Sequence, residues 1–276
     1  MELNLTERLA ICYTCCGPTY RQTAYDKLKN YYIDDDNIYY CIITDDKSFF
    51  ADLDRKNLIV NELKDFYLEF PNLEKNEFFL ESTDKWDYGK KFDDTLYVFP
   101  FSTYRINILQ AIRLGITNVA VLCTDAHINF EVLSNNMEYF FKIKHMIYNA
   151  VSVWYNDTTT NCMNDIVNFL ETNYDIKVDK TVTILDAAAR LFVSDSISDL
   201  QLFFDIWNDT MNFIYDNDLM RNYKGSYAAN DEYILAPIYN ALNWCNPYNI
   251  ALHARNDLFV VQHDIENERF WRVLNP

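Results

Sequence analysis

Short apolar runs that alternate with helical patterns constrain the first half of this chain more than any other feature. Leu9 to Tyr13 and Ile38 to Thr44 read as strands, and amphipathic helices follow them at about Tyr20 to Asn30 and Asp54 to Phe70. Leu96 to Phe99 reads as a short third strand. Ser102 then suits the N-cap of a helix carrying Ile106, Leu109 and Ile112 on one face, and Gly115 stands where a left-handed residue closes such a helix. Val119 to Cys123 is apolar throughout, which predicts a central strand covered on both faces. Strands separated by helices imply an α/β fold with a mostly parallel sheet.

Beyond Glu131 the pattern turns to helices with fewer strands. Leu200, Phe203, Trp207, Met211 and Ile214 form one helical stripe, and Ile234, Leu235, Ile238 and Leu242 form another that starts after Asn230-Asp231-Glu232. A last strand, Leu258 to Gln262, ends at His263. With no repeat and no Gly, Pro or Ser-rich linker, the 276 residues, 50% of them hydrophobic, read as a single domain, sheet-rich in front and helix-rich behind. Trp86, Trp154 and Trp244 stand outside these stripes and either fill the core or offer surfaces that stack on sugar rings.

No run approaches the roughly 18 apolar residues of a membrane span, and Met1 to Arg8 is polar rather than a signal core, which predicts a soluble cytoplasmic protein. Seven cysteines, an odd number, fit a reducing compartment. Cys12, Cys15 and Cys16 make a C-x-x-C-C group with no second pair at matching spacing, so they read as buried thiols rather than zinc ligands. A net charge of -17 without a cluster of Lys and Arg excludes a sequence-independent grip on a nucleic-acid backbone as the main activity. Only four glycines occur, Gly17, Gly89, Gly115 and Gly225, where average usage gives roughly nineteen. None is near another, which excludes the dinucleotide fingerprint, the P-loop, the kinase loop and the G-x-S-x-G elbow. The wealth of Tyr, Phe, Asn, Asp and Ile is the bias of an AT-rich genome and suggests a virus, phage or parasite as source.

Ligands of open α/β sheets bind outside the carboxyl ends of the strands. The residues there are polar and acidic: Tyr13-Thr14, Thr44-Asp45-Asp46 and Thr124-Asp125-Ala126-His127. In an extended segment Asp125 and His127 point the same way and could share one cation, or else Asp125 caps a turn and His127 is a structural histidine. The stretch Arg105-Ile-Asn-Ile-Leu-Gln-Ala-Ile followed by Asn118 to Phe130 resembles the heart of nucleotide-sugar glycosyltransferases of the GT-A type. There an Arg- or Lys-bearing helix precedes an apolar strand ending in Asp-x-Asp. Ile11 to Thr14 and Tyr40 to Asp46 are similar to the first two strands of the retaining, glycogenin-like and blood-group-like members. Ala188 to Val193, the Trp207 helix and Asn230 to Leu235 are similar to their later strand, helix and acidic step.

The resemblance implies a GT-A-like fold, a nucleotide-binding half over about 1–130 and an acceptor-binding, helical half over about 131–276. It implies a metal-dependent transferase that moves a sugar from a uridine diphosphate donor to a glycan, a protein or a modified nucleic acid. Mn2+ or Mg2+ would be held by Asp125, His127, which replaces the commoner aspartate, and a late histidine, His263, with His253 in reserve. Tyr13, Thr14 and Thr124 would line the nucleotide pocket, Asp45 would accept from base or ribose, and Arg105 would face the donor sugar or its phosphates. Of Asp231 and Glu232, one supports a helix start and the other faces the reacting sugar. Two alternatives remain open: a degenerate protein that binds nucleotide-sugar or glycan without turnover, and an acidic α/β interaction protein.

Overall fold

The computed structural model describes residues 7–76, 98–122, 124, 126–142, 145–148, 151–152, 157–174, 185–186, 189–217, 219, 251–254 and 258–261. The first strand β1 (Leu9–Cys15) is followed by helix α1 (Pro18–Tyr31) and by β2 (Ile38–Thr44) and β3 (Leu58–Glu62). Helix α2 (Val98–Arg113) leads into β4 (Asn118–Leu122) and β5 (Ala126–Ile128). Short helices α3 (Phe130–Asn135) and α4 (Met137–Lys142) precede β6 (His145–Tyr148) and β7 (Val151–Ser152). Helix α5 (Asp157–Tyr174), β8 (Leu185–Asp186), β9 (Ala189–Val193), helix α6 (Ile197–Asp216), β10 (Ala251–Ala254) and β11 (Phe259–Val261) complete the described elements.

Seven strands form one sheet in the order β10-β6-β9-β4-β1-β2-β3. Parallel pairing sets Cys12 of β1 opposite both Cys41 of β2 and Val121 of β4. Only β9 runs against its neighbours, with Arg190 opposite Val121 of β4 and Tyr148 of β6. Chain order climbs from β1 to β3 in one direction and then steps back to β4 on the other side of β1. The crevice between β1 and β4 is therefore the topological switch point. Two antiparallel pairs, β5 with β11 and β7 with β8, lie outside this sheet.

The period of two along β1 explains how both faces are covered. Ala10 and Cys12 join Ile106, Ile108 and Leu109 of α2 and Phe203 and Trp207 of α6 in one core layer. Leu9, Ile11 and Tyr13 join Ala24 and Leu28 of α1 and Ala126 and Ile128 of β5 in the other. As expected of a central strand, every residue of β4 is buried. Cys12, Cys15 and Cys16 are buried free thiols, and desolvation pushes the thiol pKa of each upward. No described helix is long and apolar enough to cross a membrane.

Helix α2 ends as its sequence demands. Gly115, at φ +66°, lets its N–H reach the Ile112 carbonyl at 2.9 Å while the Ile116 N–H reaches Ala111 O at 2.9 Å. These two bonds make the Schellman closure, and buried Ile116 then aims the chain into β4. Two expected elements differ. The helix read over Asp54 to Phe70 is instead the edge strand β3 between 3-10 turns at Lys47–Phe50 and Leu63–Phe66. Ile59 and Val60 are stiff at χ1 and gain more from pairing with Cys41 and Ile42 than from a helix. Val98 and Phe99, read as strand, are the first turn of α2, so Ser102 lies inside that helix and does not cap it. The tryptophans 86, 154 and 244, the segment 96–97 and the helix read at Ile234 to Leu242 fall outside the described residues.

The α6 stripe is buried as read, and Trp207, 0% exposed, packs on Phe203 with ring centroids 5.5 Å apart. Trp207→Ala should lower unfolding free energy by about 3–5 kcal/mol, the cost of an aromatic-sized cavity. Leu202→Ala, on the exposed side of the same helix, should stay within about 0.5 kcal/mol of wild type. Urea denaturation of the two variants measures both.

Candidate functional site

The switch point is built on amides. Helix α2 is buried around most of its circumference, so Asn107 at 0% and Gln110 at 5% exposure need internal partners. Asn61 of β3 donates from Nδ2 to Gln110 Oε1 at 2.5 Å, and Gln110 Nε2 donates to Asn107 Oδ1 at 3.4 Å. Asn107 Nδ2 in turn donates to Thr14 Oγ1 at 3.1 Å, at the carboxyl end of β1. Thr14 is half-buried there, so the ladder ends at the crevice. Sequence reading found Thr14 but missed Asn107 and Gln110. Their signal was two amides three apart on a helix otherwise read only for its apolar face.

Thr14 and Tyr13 do not line one wall, because adjacent strand residues face opposite sides. Buried Tyr13 points away from α2 and donates its hydroxyl to the Ala126 carbonyl at 3.2 Å, tying β1 to the start of β5. Thr124 is buried in the turn between β4 and β5.

Asp45, expected to contact base or ribose, is engaged inside the protein. Its Oδ2 accepts from the Gly17 N–H at 3.0 Å and pairs with Arg21 Nη1, while Oδ1 accepts from the Thr44 hydroxyl at 3.4 Å. Gly17 sits at φ +85°, a conformation that suits glycine where the chain turns from β1 into α1. The contact fastens the ends of β1 and β2 together.

His127, expected as a metal ligand, faces a cation. In β5, where it lies opposite Val260 of β11, its Nδ1 is 3.4 Å from Nζ of buried Lys27, and its ring stacks on Tyr31 at 4.1 Å. Lysine can only donate, so Nδ1 accepts and the neutral ring carries its proton on Nε2. Burial first, and the Lys27 charge second, push the His127 pKa down to about 4. An imidazole whose Nδ1 is occupied beside an ammonium does not suit a divalent cation, and among the described residues no three His, Cys, Asp or Glu gather around a common point. The other expected ligands, Asp125 and His263, and the acidic pair Asp231 and Glu232, lie outside the described residues. His253 is placed only by register, opposite Ile147.

Arg105 lies two residues from Asn107 and hence on the other side of α2. It is 0% exposed, with its guanidinium over the Phe70 ring at 5.3 Å. Nε, Nη1 and Nη2 donate to no described group. Burial lowers its pKa to about 10, which still leaves it charged at neutral pH. Arg105 is therefore an enclosed cation in want of an anion, and it does not share the Thr14 wall of the crevice.

No protein-family model matches the chain, and no curated protein matches it in sequence. Solved structures similar to it are glycosyltransferases. Mouse xyloside xylosyltransferase 1 in its apo form matches over 90% of this chain and 84% of its own, at 9% identity and a TM-score of 0.40. The galactosyltransferase LgtC, in complex with donor and acceptor sugar analogs, matches over 88% and 72%, at 10% identity and 0.43. The mannosyltransferase Ktr4p of S. cerevisiae matches over 90% and 68%, at 8% identity and 0.49.

The His127 environment makes stability depend on pH. Because its folded pKa lies below the ordinary histidine value of about 6.5, the unfolded chain binds the proton more readily. The His127 contribution is complete above that value and is lost as pH falls toward 4. Urea titrations in chelator-treated buffer should show wild type losing on the order of 2 kcal/mol more than His127→Gln between pH 7.5 and 4.5. Parallel loss in the two proteins would refute this assignment.

Proposed function

We propose that this chain is a glycosyltransferase that moves a sugar from a nucleoside diphosphate, with uridine diphosphate as carrier, to a glycan or protein acceptor. The observation that carries the reading is the switch point between β1 and β4, where Thr14 is held at the crevice by buried Asn107. Open α/β sheets bind nucleotides in such a crevice. The GT-A-like run from Arg105 to Phe130 supplies the chemistry of the proposal.

In this reading Thr14 contacts the base, and Asn107 and Asp45 hold the walls. Arg105, buried without a described partner, offers charge to the donor phosphates. One of Asp231 and Glu232 orients the sugar or stabilises positive charge developing at its anomeric carbon. Any manganese or magnesium ion would be held by Asp125 and His263, since Lys27 removes His127 from the ligand set, and it would offset charge on the diphosphate. That same contact favours a second reading, a protein that binds nucleotide-sugar without turnover.

Calorimetric titration with uridine diphosphate, with and without manganese, tests the proposal. Wild type should bind, Asp125→Ala should lose the manganese-dependent part, and absence of binding by wild type would leave an acidic interaction protein. Arg105→Met should hold or raise the melting temperature, because it removes an unpaired buried charge, while weakening donor binding by about tenfold or more. Equal loss of stability and affinity would make Arg105 structural. One of Asp231→Asn and Glu232→Gln should leave melting unchanged and slow transfer or donor hydrolysis by about a hundredfold. Unchanged wild-type-like rates in both, or no turnover in wild type, would select the binding reading.

A further inference from the structure

The amide ladder has a direction. Asn61 donates to Gln110, Gln110 donates to Asn107, and Asn107 donates to Thr14, each amide giving its N–H forward and receiving on its oxygen. At its end the Thr14 oxygen receives a hydrogen bond, and its own O–H is accepted by no described residue. A hydroxyl whose oxygen is occupied by a fixed donor presents its proton outward.

We infer that Asn107 is a positioning residue that fixes Thr14 as a hydrogen-bond donor, so that the site selects a nucleotide whose base presents a carbonyl there. This inference rests on the donor reading above and deepens it. A base carrying a carbonyl at that edge, as uracil does, accepts the Thr14 proton. A base carrying an amine in the same place, as cytosine does, brings a second donor against the first and leaves both unsatisfied. The selection lies in the orientation of the ladder, since a threonine hydroxyl free to turn would serve either base. The covered ladder cannot readily reverse, because Asn107 is fully enclosed and both ends of its amide are used.

The test compares uridine diphosphate, cytidine diphosphate and inorganic pyrophosphate by calorimetry on the full chain, with melting temperature measured alongside. Wild type should prefer the uridine nucleotide by about tenfold or more, the scale of one misplaced buried hydrogen bond. Asn107→Asp replaces the forward donor by an acceptor that Gln110 Nε2 and the Thr14 hydroxyl can both satisfy, turning the Thr14 proton inward. It should lose the uridine preference while pyrophosphate affinity stays unchanged. Thr14→Val should lose it equally, Thr14→Ser should keep it, and Asn107→Asp added to Thr14→Val should cost nothing more. If Asn107→Asp does not fold, Asn107→Leu, which frees the hydroxyl to turn, should reduce the preference. Wild-type preference in both Asn107 variants, or additive loss with Thr14→Val, would overturn the inference and leave the donor reading standing. A parallel fall in pyrophosphate affinity would place Thr14 on phosphate and overturn it too. Failure of wild type to bind any of the nucleotides would overturn the donor reading itself.

Discussion

The switch point depends on the hydrogen bond from Asn107 to Thr14. Helix α2 lies between the sheet and α6, where an unmatched amide would cost several times what a matched one contributes. The helix therefore keeps its register against β1 and β3 only if Gln110 meets Asn61 and Asn107 meets Thr14 together. Apolar contacts alone would tolerate small shifts of α2 along the sheet. Two amides that must find partners on two different strands do not, so polar groups set the position that Ile106, Ile108 and Leu109 then fill.

The interior is more cationic than the composition suggests. The chain carries a net charge of -17, yet Lys27, Arg105 and Arg190 are each no more than 5% exposed. Each sits over an aromatic ring: Lys27 over Tyr31 at 5.2 Å, Arg105 over Phe70 at 5.3 Å and Arg190 over Tyr104 at 5.5 Å. The face of an aromatic ring carries negative charge density and loses little by burial, so it lodges a desolvated cation where a carboxylate would itself need solvating. An aromatic content of 16% thus does more than fill volume. Ring contacts leave the hydrogen-bonding capacity of a guanidinium untouched, which is why Arg105 can be enclosed and still chemically unsatisfied.

Local pattern made much of this architecture legible, and distant pairing hid the rest. The β2 limits, the buried stripe of α6 and the glycine closure of α2 follow from periodicity and φ preference over a few residues. The segment Asp54 to Phe70 misled because Leu58, Leu63, Phe66 and Phe70 satisfy a helical spacing. Only the pairing of β3 with β2 reveals a strand. At the site, Thr14 was legible as a polar strand end. Spacing brought Asp125 and His127 together on the assumption of one extended segment, but His127 belongs to a strand paired with β11, far along the sequence. That pairing turns it onto α1, and no motif of three residues carries such information.

The scarcity of glycine shapes how the edge can treat a phosphate. Gly17 is where the chain turns from β1 into α1, the place at which other nucleotide-binding sheets offer backbone N–H groups and a helix N-terminus to an anion. Here the Gly17 N–H is spent on Asp45, and Pro18, the first helical residue, has no N–H to give. The Asp45 carboxylate also meets the positive end of the helix dipole, so a second anion arriving there would be repelled by a charge already in place. Arg21 balances Asp45 and is occupied in doing so. Phosphate recognition at this end of the sheet therefore cannot fall to the β1–α1 turn, and it passes to side-chain cations further from it. Among the described residues Arg105 is the cation left with its donors unspent, which is why the functional reading turns on that residue and not on the turn the fold usually employs.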